Sequence, residues 1–228
     1  SMIKKKRFFI NSVFKWTLVF LLNQIGIAKK IKAKSKPKVV VLGAGFGGAS
    51  CINYLSNFTD LIDLIVVDKN RWIKTCPFSN LVIGNLLDES NITFKPRFRK
   101  NVKFIVNELK FIDADKKEIL FVDELSLDYD FLIMSPGIGY KRKQIQGYSI
   151  DNNENIPHCW DGENQISNFK KRLDSLENNC KVIISSPDYP YRCPPAPYER
   201  ASMIANFLKS KKKKFKILIF DSKNSFTK

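Results

Sequence analysis

The apolar residues of this chain are concentrated in short runs separated by polar stretches. Val39 to Leu42 and Leu64 to Val67 are uninterrupted and rich in β-branched residues, and Tyr129 to Met134 is almost as apolar. Runs of this kind are typical of strands that are buried on both faces of a parallel sheet. The stretch between the first two runs, Ala49 to Phe58, predicts a helix, and this strand–helix–strand order indicates an α/β fold.

The second half of the chain repeats this order of elements. We therefore predict a Rossmann-like dinucleotide-binding domain at 37–148, followed by a second, incomplete Rossmann-like domain at 149–228, with the boundary near Tyr148. The elements predicted for the second domain are a helix at Glu163–Leu176, a strand at Val182–Ser185, a helix at Tyr198–Lys209 and a strand at Ile217–Phe220.

Three further segments of the first domain have weaker patterns. Val102 to Val106 and Lys117 to Val122 alternate between apolar and polar residues, which predicts two strands of a small antiparallel sheet. The stretch from Arg71 to Asn85 carries Pro77 and several polar residues, and it is interpreted as a loop.

A glycine motif lies directly between the first predicted strand and its helix. Gly43, Gly45 and Gly48 form a G-x-G-x-x-G pattern, in which the first glycine permits a sharp turn and the second lets a pyrophosphate approach the backbone. The third glycine allows close packing of helix and strand. Asp68 ends the next strand, about 20 residues further on, where an acidic residue binds the ribose of a dinucleotide. The motif does not distinguish NAD from FAD.

The corresponding turn of the second domain has lost its glycines. It is rich in proline, which has no N–H group and therefore does not cradle a pyrophosphate. The turn presents Cys193 between Arg192 and a predicted helix that carries Arg200. Positive charge and a helix N-terminus favour the thiolate form of a cysteine, so we interpret Cys193 as reactive rather than as a buried structural residue.

Composition and charge exclude several other functions. The formal net charge is +17, but the lysines are scattered and no RNA-binding signature accompanies them, so nucleic-acid binding is not predicted. The five cysteines show no metal-binding spacing and the chain has a single histidine, so no metal site is predicted.

Residues 1–36 have the pattern of an export signal and linker. Basic residues from Lys4 to Arg7 precede an apolar stretch, Val13 to Leu22, which is too short to span a membrane and is interrupted by Lys15. The segment resembles a twin-arginine signal with Lys6 in place of the first arginine. We expect a periplasmic protein without a stable transmembrane segment; an uncleaved amphipathic anchor is the alternative.

Four strings of the sequence resemble one known family. VVVLGAGFGG, TCPFSNLVIG, IPHCWDGENQ and above all YRCPPAPYERASMIANFLK are similar to the flavoprotein subunit of flavocytochrome c sulfide dehydrogenase, and the resemblance extends from Lys38 to Lys228. It implies an FAD-dependent enzyme that oxidises sulfide and passes electrons to a c-type cytochrome partner.

The resemblance also assigns roles to individual residues. It implies that FAD is attached covalently through Cys76, and that Cys193 forms one half of a redox disulfide beside the flavin. Gly137 would lie in a loop on the flavin side. The FAD-binding turn and its ribose acid would comprise Gly43, Gly45, Phe46, Gly47, Gly48 and Asp68.

The resemblance leaves other functions open. In the family the second domain continues beyond the position of Lys228, and the chain then returns to complete the FAD-binding domain and supply the second disulfide cysteine, so we expect this chain to be an N-terminal part. A sulfide:quinone oxidoreductase is the nearest alternative, and a catalytically inactive nucleotide-binding remnant is the non-enzymatic one. A pyridine-nucleotide disulfide reductase fits less well, because Cys51 stands alone on the first helix.

Overall fold

A computed structural model describes residues 35–99, 101–141, 145–149, 156–160 and 165–223. Contacts divide the chain into Ser1–Pro37 and Lys38–Lys228, and every helix and strand described lies within Lys38–Lys228. The predicted export signal lies outside the described residues, and the predicted domain boundary near Tyr148 stays a prediction.

A four-stranded parallel sheet forms the centre of the first half. Its strands are ordered β5–β2–β1–β9, and the helix α1 joins β1 to β2. The sequence predicted three of these strands, with ends that differ by at most two residues. The bounds are β1 Lys38–Leu42, α1 Phe46–Leu55, β2 Asp63–Asp68, β5 Val102–Val106 and β9 Phe131–Met134, and a 3₁₀ turn at Ser56–Phe58 follows α1.

Both faces of this sheet are buried. Successive side chains of a strand point to opposite sides, so each central strand contributes to two hydrophobic clusters. Val41 and Val66 pack with Ile52 of α1 on one face. Val40 and Val67 pack on the other face against a three-stranded antiparallel sheet. The strands of that sheet are β6 Leu109–Asp113, β7 Glu118–Phe121 and β8 Ser126–Asp128.

The position predicted for β5 was wrong. The strand Val102–Val106 exists, but it pairs in parallel with β2 at the edge of the main sheet and not with β7. Its alternating pattern arises because an edge strand exposes part of its surface: Lys103 faces solvent and forms an ion pair with Asp63 at 3.1 Å. Of the two strands predicted for the small antiparallel sheet, only β7 belongs to it. The sequence did not predict the neighbours of β7, which are β6 and β8.

The stretch from Arg71 to Asn85 is also not a simple loop. It contains the two-residue strand β3 Ile73–Lys74, which pairs with β4 Thr93–Phe94, and the helix α2 Ser79–Ile83. This helix has only five residues, too few to show a helical period in the sequence. It forms because Val82 and Ile83 are completely buried.

The second half contains one parallel strand pair with helices before and between its strands, as predicted. A hydrophobic cluster of these elements also includes Val82, Ile83 and Ile92 from the first half, so the core is continuous across the predicted boundary. The bounds are α3 Gln165–Ser175, β10 Cys180–Ser185, α4 Ala196–Ser210 and β11 Phe215–Phe220.

Candidate functional site

The glycine turn lies at the carboxyl end of β1, and two of its glycines are required by the fold itself. Gly43 has φ +96°, and a Cβ atom there would lie 2.1 Å from the Ser135 carbonyl oxygen. A Cβ atom on Gly48 would lie 1.8 Å from the Gly43 carbonyl oxygen. The helix begins at Phe46 and not at Ala49, so the turn forms the start of α1.

Gly45 has a different role, because the fold does not require it. A Cβ atom at this position would meet nothing within 4 Å, whereas one on Gly47 would lie 2.6 Å from the Ser135 hydroxyl. Gly45 is the N-cap of α1, and no side chain caps the helix or places an acid in its first turn. The open side of the turn therefore fits an anionic group at a helix N-terminus, as a pyrophosphate requires.

Asp68 is held beside this turn by the backbone. Its Oδ2 accepts a hydrogen bond from the Ala44 N–H at 2.8 Å, and its Oδ1 accepts one from the Asn70 N–H at 2.8 Å. A carboxylate has about four lone-pair positions, so capacity remains for the hydroxyl groups of a ribose. The residues present thus fit the adenosine and pyrophosphate half of a dinucleotide.

Substitutions of Gly48 and Gly45 test whether one glycine serves the fold and the other serves dinucleotide binding. Gly48→Ala is expected to lower the free energy of unfolding by about 3 kcal/mol, because the methyl group collides with the backbone. Gly45→Ala is expected to leave stability within about 0.5 kcal/mol of the wild type. In a Cys76→Ser background, where no thioether holds the cofactor, it is expected to weaken dinucleotide retention at least about tenfold. Urea unfolding and equilibrium dialysis measure the two effects. A Gly45→Ala protein that retains the dinucleotide in that background would contradict this role of the turn.

Gly137 lies at the same edge of the sheet, in the loop that follows β9. The loop is anchored to β1, since the Ser135 N–H donates to the Leu42 carbonyl at 2.7 Å. Gly137 has φ +81°, a conformation that favours glycine, and its surroundings are open. The Gly137 loop thus borders the glycine turn through Ser135.

The two candidate cysteines lie on similar turns, each one turn before a helix. The Cys76 carbonyl accepts a hydrogen bond from the Ser79 N–H at 3.0 Å, and the Cys193 carbonyl accepts one from the Ala196 N–H at 2.9 Å. The helices that follow, α2 and α4, pack against each other. Gly84, just after α2, makes this close approach possible, since a Cβ atom there would lie 3.1 Å from Met203.

A buried polar network joins these two helices. Asn80 of α2 donates to Glu199 Oε2 at 2.7 Å and accepts from Arg200 Nε at 3.0 Å. Arg200 also donates to the carbonyl oxygens of His158 and Cys159, at 2.8 and 3.1 Å. A single guanidinium group therefore ties together three segments that are distant in sequence.

Arg200 is only 9% exposed, and its guanidinium lies 5.0 Å from the centre of the Trp160 ring. Burial lowers the pKa of Arg200 from its ordinary value, yet arginine remains charged in proteins. The sequence had suggested that Arg200 acts on Cys193. The structure gives it a structural role in addition, which the sequence did not reveal because its partners are far along the chain.

Replacing Arg200 by methionine tests this structural role. The change removes the three hydrogen bonds from the guanidinium to Asn80, His158 and Cys159 and leaves buried carbonyl groups without a donor, so the free energy of unfolding is expected to fall by about 3 kcal/mol. Lys209→Met, at an exposed position of the same helix, is the matched control and should change stability by less than about 0.5 kcal/mol. Equal stability of the two variants in urea would refute this role.

The electrostatic environment of Cys76 connects the two cysteine turns. Burial raises the pKa of the Cys76 thiol, while the positive charges of Arg192 and Arg200 and a hydrogen bond with Ser79 oppose the rise. Cys193 also acts on Cys76 electrostatically. Cys193 itself is exposed and has φ +55°. Cys76 thus lies within electrostatic range of Cys193 and of two arginines.

The sequence did not predict a cavity of about 640 Å³ that flanks α1. Ala44 and Ile52 line one side, and Trp72 and the segment 93–99 line the other. Lys95, Arg97 and Arg99 belong to this segment, so the cavity carries positive charge. Within the part of the chain that the structure describes, no helix is long and apolar enough to cross a membrane, and no group of residues could hold a metal ion.

Comparisons with known families match the two halves of the chain separately. Residues 37–180 match the pyridine nucleotide-disulphide oxidoreductase family, and this match covers more than half of the chain. Residues 167–228 match the central region of the sulfide dehydrogenase [flavocytochrome c] flavoprotein chain.

Individual relatives agree with these matches. The chain is 47% identical over 45 residues to the sulfide dehydrogenase [flavocytochrome c] flavoprotein chain of Chlorobaculum thiosulfatiphilum, a match that covers 20% of this chain and 94% of that sequence. It is 26% identical over 168 residues to the mitochondrial sulfide:quinone oxidoreductase of Dictyostelium discoideum, covering 72% of this chain and 35% of the relative.

The fold has counterparts among solved structures. The sulfide:quinone oxidoreductase from Aquifex aeolicus superimposes with a TM-score of 0.67 at 22% identity, over 82% of this chain and 43% of that one. This likeness establishes the fold, an α/β arrangement with parallel sheets. The chain spans about a third of the length of the Dictyostelium relative and less than half of the Aquifex structure.

Proposed function

This chain belongs to the pyridine nucleotide-disulphide oxidoreductase family, as a relative of the flavocytochrome c sulfide dehydrogenase flavoprotein chain, and we propose that it binds FAD and takes part in sulfide oxidation. The observation that carries this proposal is the pair of neighbouring turns that present Cys76 and Cys193. The glycine turn of the first strand–helix–strand unit, β1–α1–β2, fits a dinucleotide. In the second such unit, β10–α4–β11, an exposed thiol replaces the glycines.

The residues of the first unit would hold FAD by its adenosine end. The open face at Gly45 would receive the pyrophosphate, and Asp68 would bind the ribose hydroxyls. Cys76 would form a thioether bond to the cofactor, which would fix the redox end relative to the adenosine end. FAD, when bound, supplies the two-electron redox chemistry of the reaction.

Cys193 would be the residue that meets sulfide. It is exposed, it precedes a helix of 15 residues, and Arg192 adds positive charge beside it. These features suit the attraction of HS⁻, because anions are stabilised near cations and helix N-termini. With Cys193 in a disulfide with a second cysteine, as the resemblance implies, HS⁻ would attack the Cys193 sulfur, the disulfide bond would break, and the second cysteine would leave as a thiolate while Cys193 kept the persulfide. That thiolate would pass its electron pair to FAD, when bound. The half-buried Cys76 is less accessible to a substrate and suits a permanent bond.

We propose a c-type cytochrome as electron acceptor and partner, as in the flavocytochrome c relative. A quinone is the second candidate, because the Dictyostelium relative and the Aquifex structure are both sulfide:quinone oxidoreductases.

The acceptor experiment uses the purified, flavin-loaded protein, with both cysteines of the redox disulfide present, under anaerobic conditions. Sulfide is added together with either a c-type cytochrome or a water-soluble quinone. We expect the cytochrome to be reduced in the absence of quinone. Reduction of quinone alone would replace the first candidate by the second, and reduction of neither would contradict sulfide oxidation.

We also propose that the protein works in the periplasm, on the basis of the signal pattern in residues 1–36. Fractionation of cells that produce the chain should place it in the periplasmic fraction. Retention in the cytoplasm with an intact N-terminus would contradict the proposal.

A further inference from the structure

The first unit defines how a ribose-binding acid is placed in this chain. Asp68 follows Val67, the residue that pairs with the last residue of β1. The Gly43 N–H donates to the Val67 carbonyl at 2.7 Å. The Asp68 carboxylate then accepts one hydrogen bond from the residue two positions later, Asn70, and one from the turn residue Ala44.

The second unit repeats this arrangement at Asp221. This acid follows Phe220, which pairs with the last residue of β10. The Ser186 N–H donates to the Phe220 carbonyl at 2.8 Å, as Gly43 does in the first unit. Asp221 Oδ1 accepts a hydrogen bond from the residue two positions later, Lys223, at 3.1 Å. By register and by backbone hydrogen bonds, Asp221 therefore holds the place of Asp68.

The second oxygen of the acid is where the two units differ. Pro187 stands in the place of Ala44 and has no N–H to donate. The Tyr198 hydroxyl donates to Asp221 Oδ2 instead, at 2.5 Å. A side chain of the first turn of α4 has thus replaced the backbone of the glycine turn as the donor to the acid.

Two further side chains close the site around Asp221. Lys223 Nζ lies 3.3 Å from Oδ2 and donates to the Tyr191 hydroxyl at 3.3 Å. The same ammonium group lies 5.3 and 5.2 Å from the ring centres of Tyr191 and Tyr198. The side chains of Lys223 and Asp221 are only 10% and 11% exposed. Oδ2 is therefore surrounded by donors from this chain, and a charged ammonium covers it.

We propose that Tyr191, Tyr198 and Lys223 form a lock on Asp221, in the place where the ribose of a pyridine nucleotide would bind the second unit. A ribose needs a free carboxylate acceptor for its two hydroxyl groups. In this chain Asp221 Oδ2 already accepts from the Tyr198 hydroxyl at 2.5 Å and from the Tyr191 hydroxyl at 3.4 Å, and the Lys223 ammonium lies 3.3 Å away. The lock makes the second unit selective against NADH, and it does so independently of the prolines at the pyrophosphate position.

The charge state of the group agrees with this geometry. The hydrogen bond from Tyr198 holds the pKa of Asp221 below its ordinary value, so the carboxylate is charged at neutral pH. Its ion pair with Lys223 is then present under physiological conditions. A neutral acid would have bound Lys223 less firmly and would have left the ribose position more accessible.

The first test removes the Tyr198 and Lys223 side chains from Asp221 and measures the binding of adenosine. Adenosine has a ribose but no phosphate, so the proline turn does not affect its binding. Tyr198→Ala combined with Lys223→Ala is expected to bind adenosine at least about tenfold more tightly than the wild type does. Adding Asp221→Asn should abolish this gain, and 2′,3′-dideoxyadenosine should not show it. Circular dichroism confirms that each variant is folded.

Three results would overturn the proposal: adenosine binding by the wild type as tight as that of the opened variant, no gain in a folded opened variant, or an equal gain with the dideoxy probe. A second measurement needs no variant. Acetylation of the wild type should modify Lys223 roughly tenfold more slowly than Lys216, an exposed lysine of β11. Equal rates at the two lysines would mean that the lock is open and would contradict the proposal.

Discussion

Cys76→Ser is expected to release all flavin from the protein on denaturation, whereas the wild type should keep it. The turn that carries the half-buried thiol is fixed by the hydrogen bond from the Ser79 N–H to the Cys76 carbonyl oxygen, and α2 places this turn against the helix that follows Cys193. A thioether survives denaturation and a non-covalent complex does not. The measurement is flavin fluorescence that migrates with the denatured polypeptide in a gel.

Cys51→Ser is the matched control for this experiment, since Cys51 is also half-buried but lies on α1. It should retain the covalent flavin fully. Fluorescence that persists in Cys76→Ser, or that disappears in Cys51→Ser, would show that the attachment is not at Cys76.

In a protein that carries both cysteines of the redox disulfide, Cys193→Ser is expected to lower the rate of sulfide-dependent flavin reduction by a factor of about 10³ or more, because a hydroxyl group does not form the sulfur–sulfur bond on which the reaction depends. The variant should keep its covalent flavin, since Cys76 is unchanged. Anaerobic mixing with sulfide, followed by the visible absorbance of the flavin, gives the rate.

Cys180→Ser provides the control here, because Cys180 is a half-buried thiol at the start of β10, away from the proline turn. Its rate should remain within about twofold of the wild type. If Cys193→Ser reacts as fast as this control, Cys193 has no part in the chemistry.

The sequence was informative where burial leaves a simple pattern. β1 and β2 lie at the centre of the main sheet, so their apolar runs identify them. β9 lies at one edge, and it was identified because its sequence is also an apolar run. β5 at the edge alternates and was assigned to the wrong sheet. α2 is held by packing against α4 and not by its own propensity, so five residues gave no signal.

The site was predictable only where a motif is local. The glycine turn and its acid lie within one strand–helix–strand unit, so their spacing identified them. The network of Asn80 and Arg200 joins residues about 120 positions apart, and no local pattern encodes such a contact. The lock on Asp221 depends on Pro187, which stands where the first unit has the backbone donor Ala44. This correspondence emerges only when the two units are aligned by their backbone hydrogen bonds.

The central claim is that a dinucleotide-binding unit here serves a sulfide-reactive thiol and not a nicotinamide. The most direct test uses the flavin-loaded protein with both cysteines of the redox disulfide present. It is mixed anaerobically with sulfide in one experiment and with NADH in another, and the flavin absorbance is followed. Sulfide is expected to bleach the flavin absorbance rapidly, and NADH is expected to leave the spectrum of the oxidised flavin unchanged. Bleaching by NADH, with sulfide inert, would contradict the central claim.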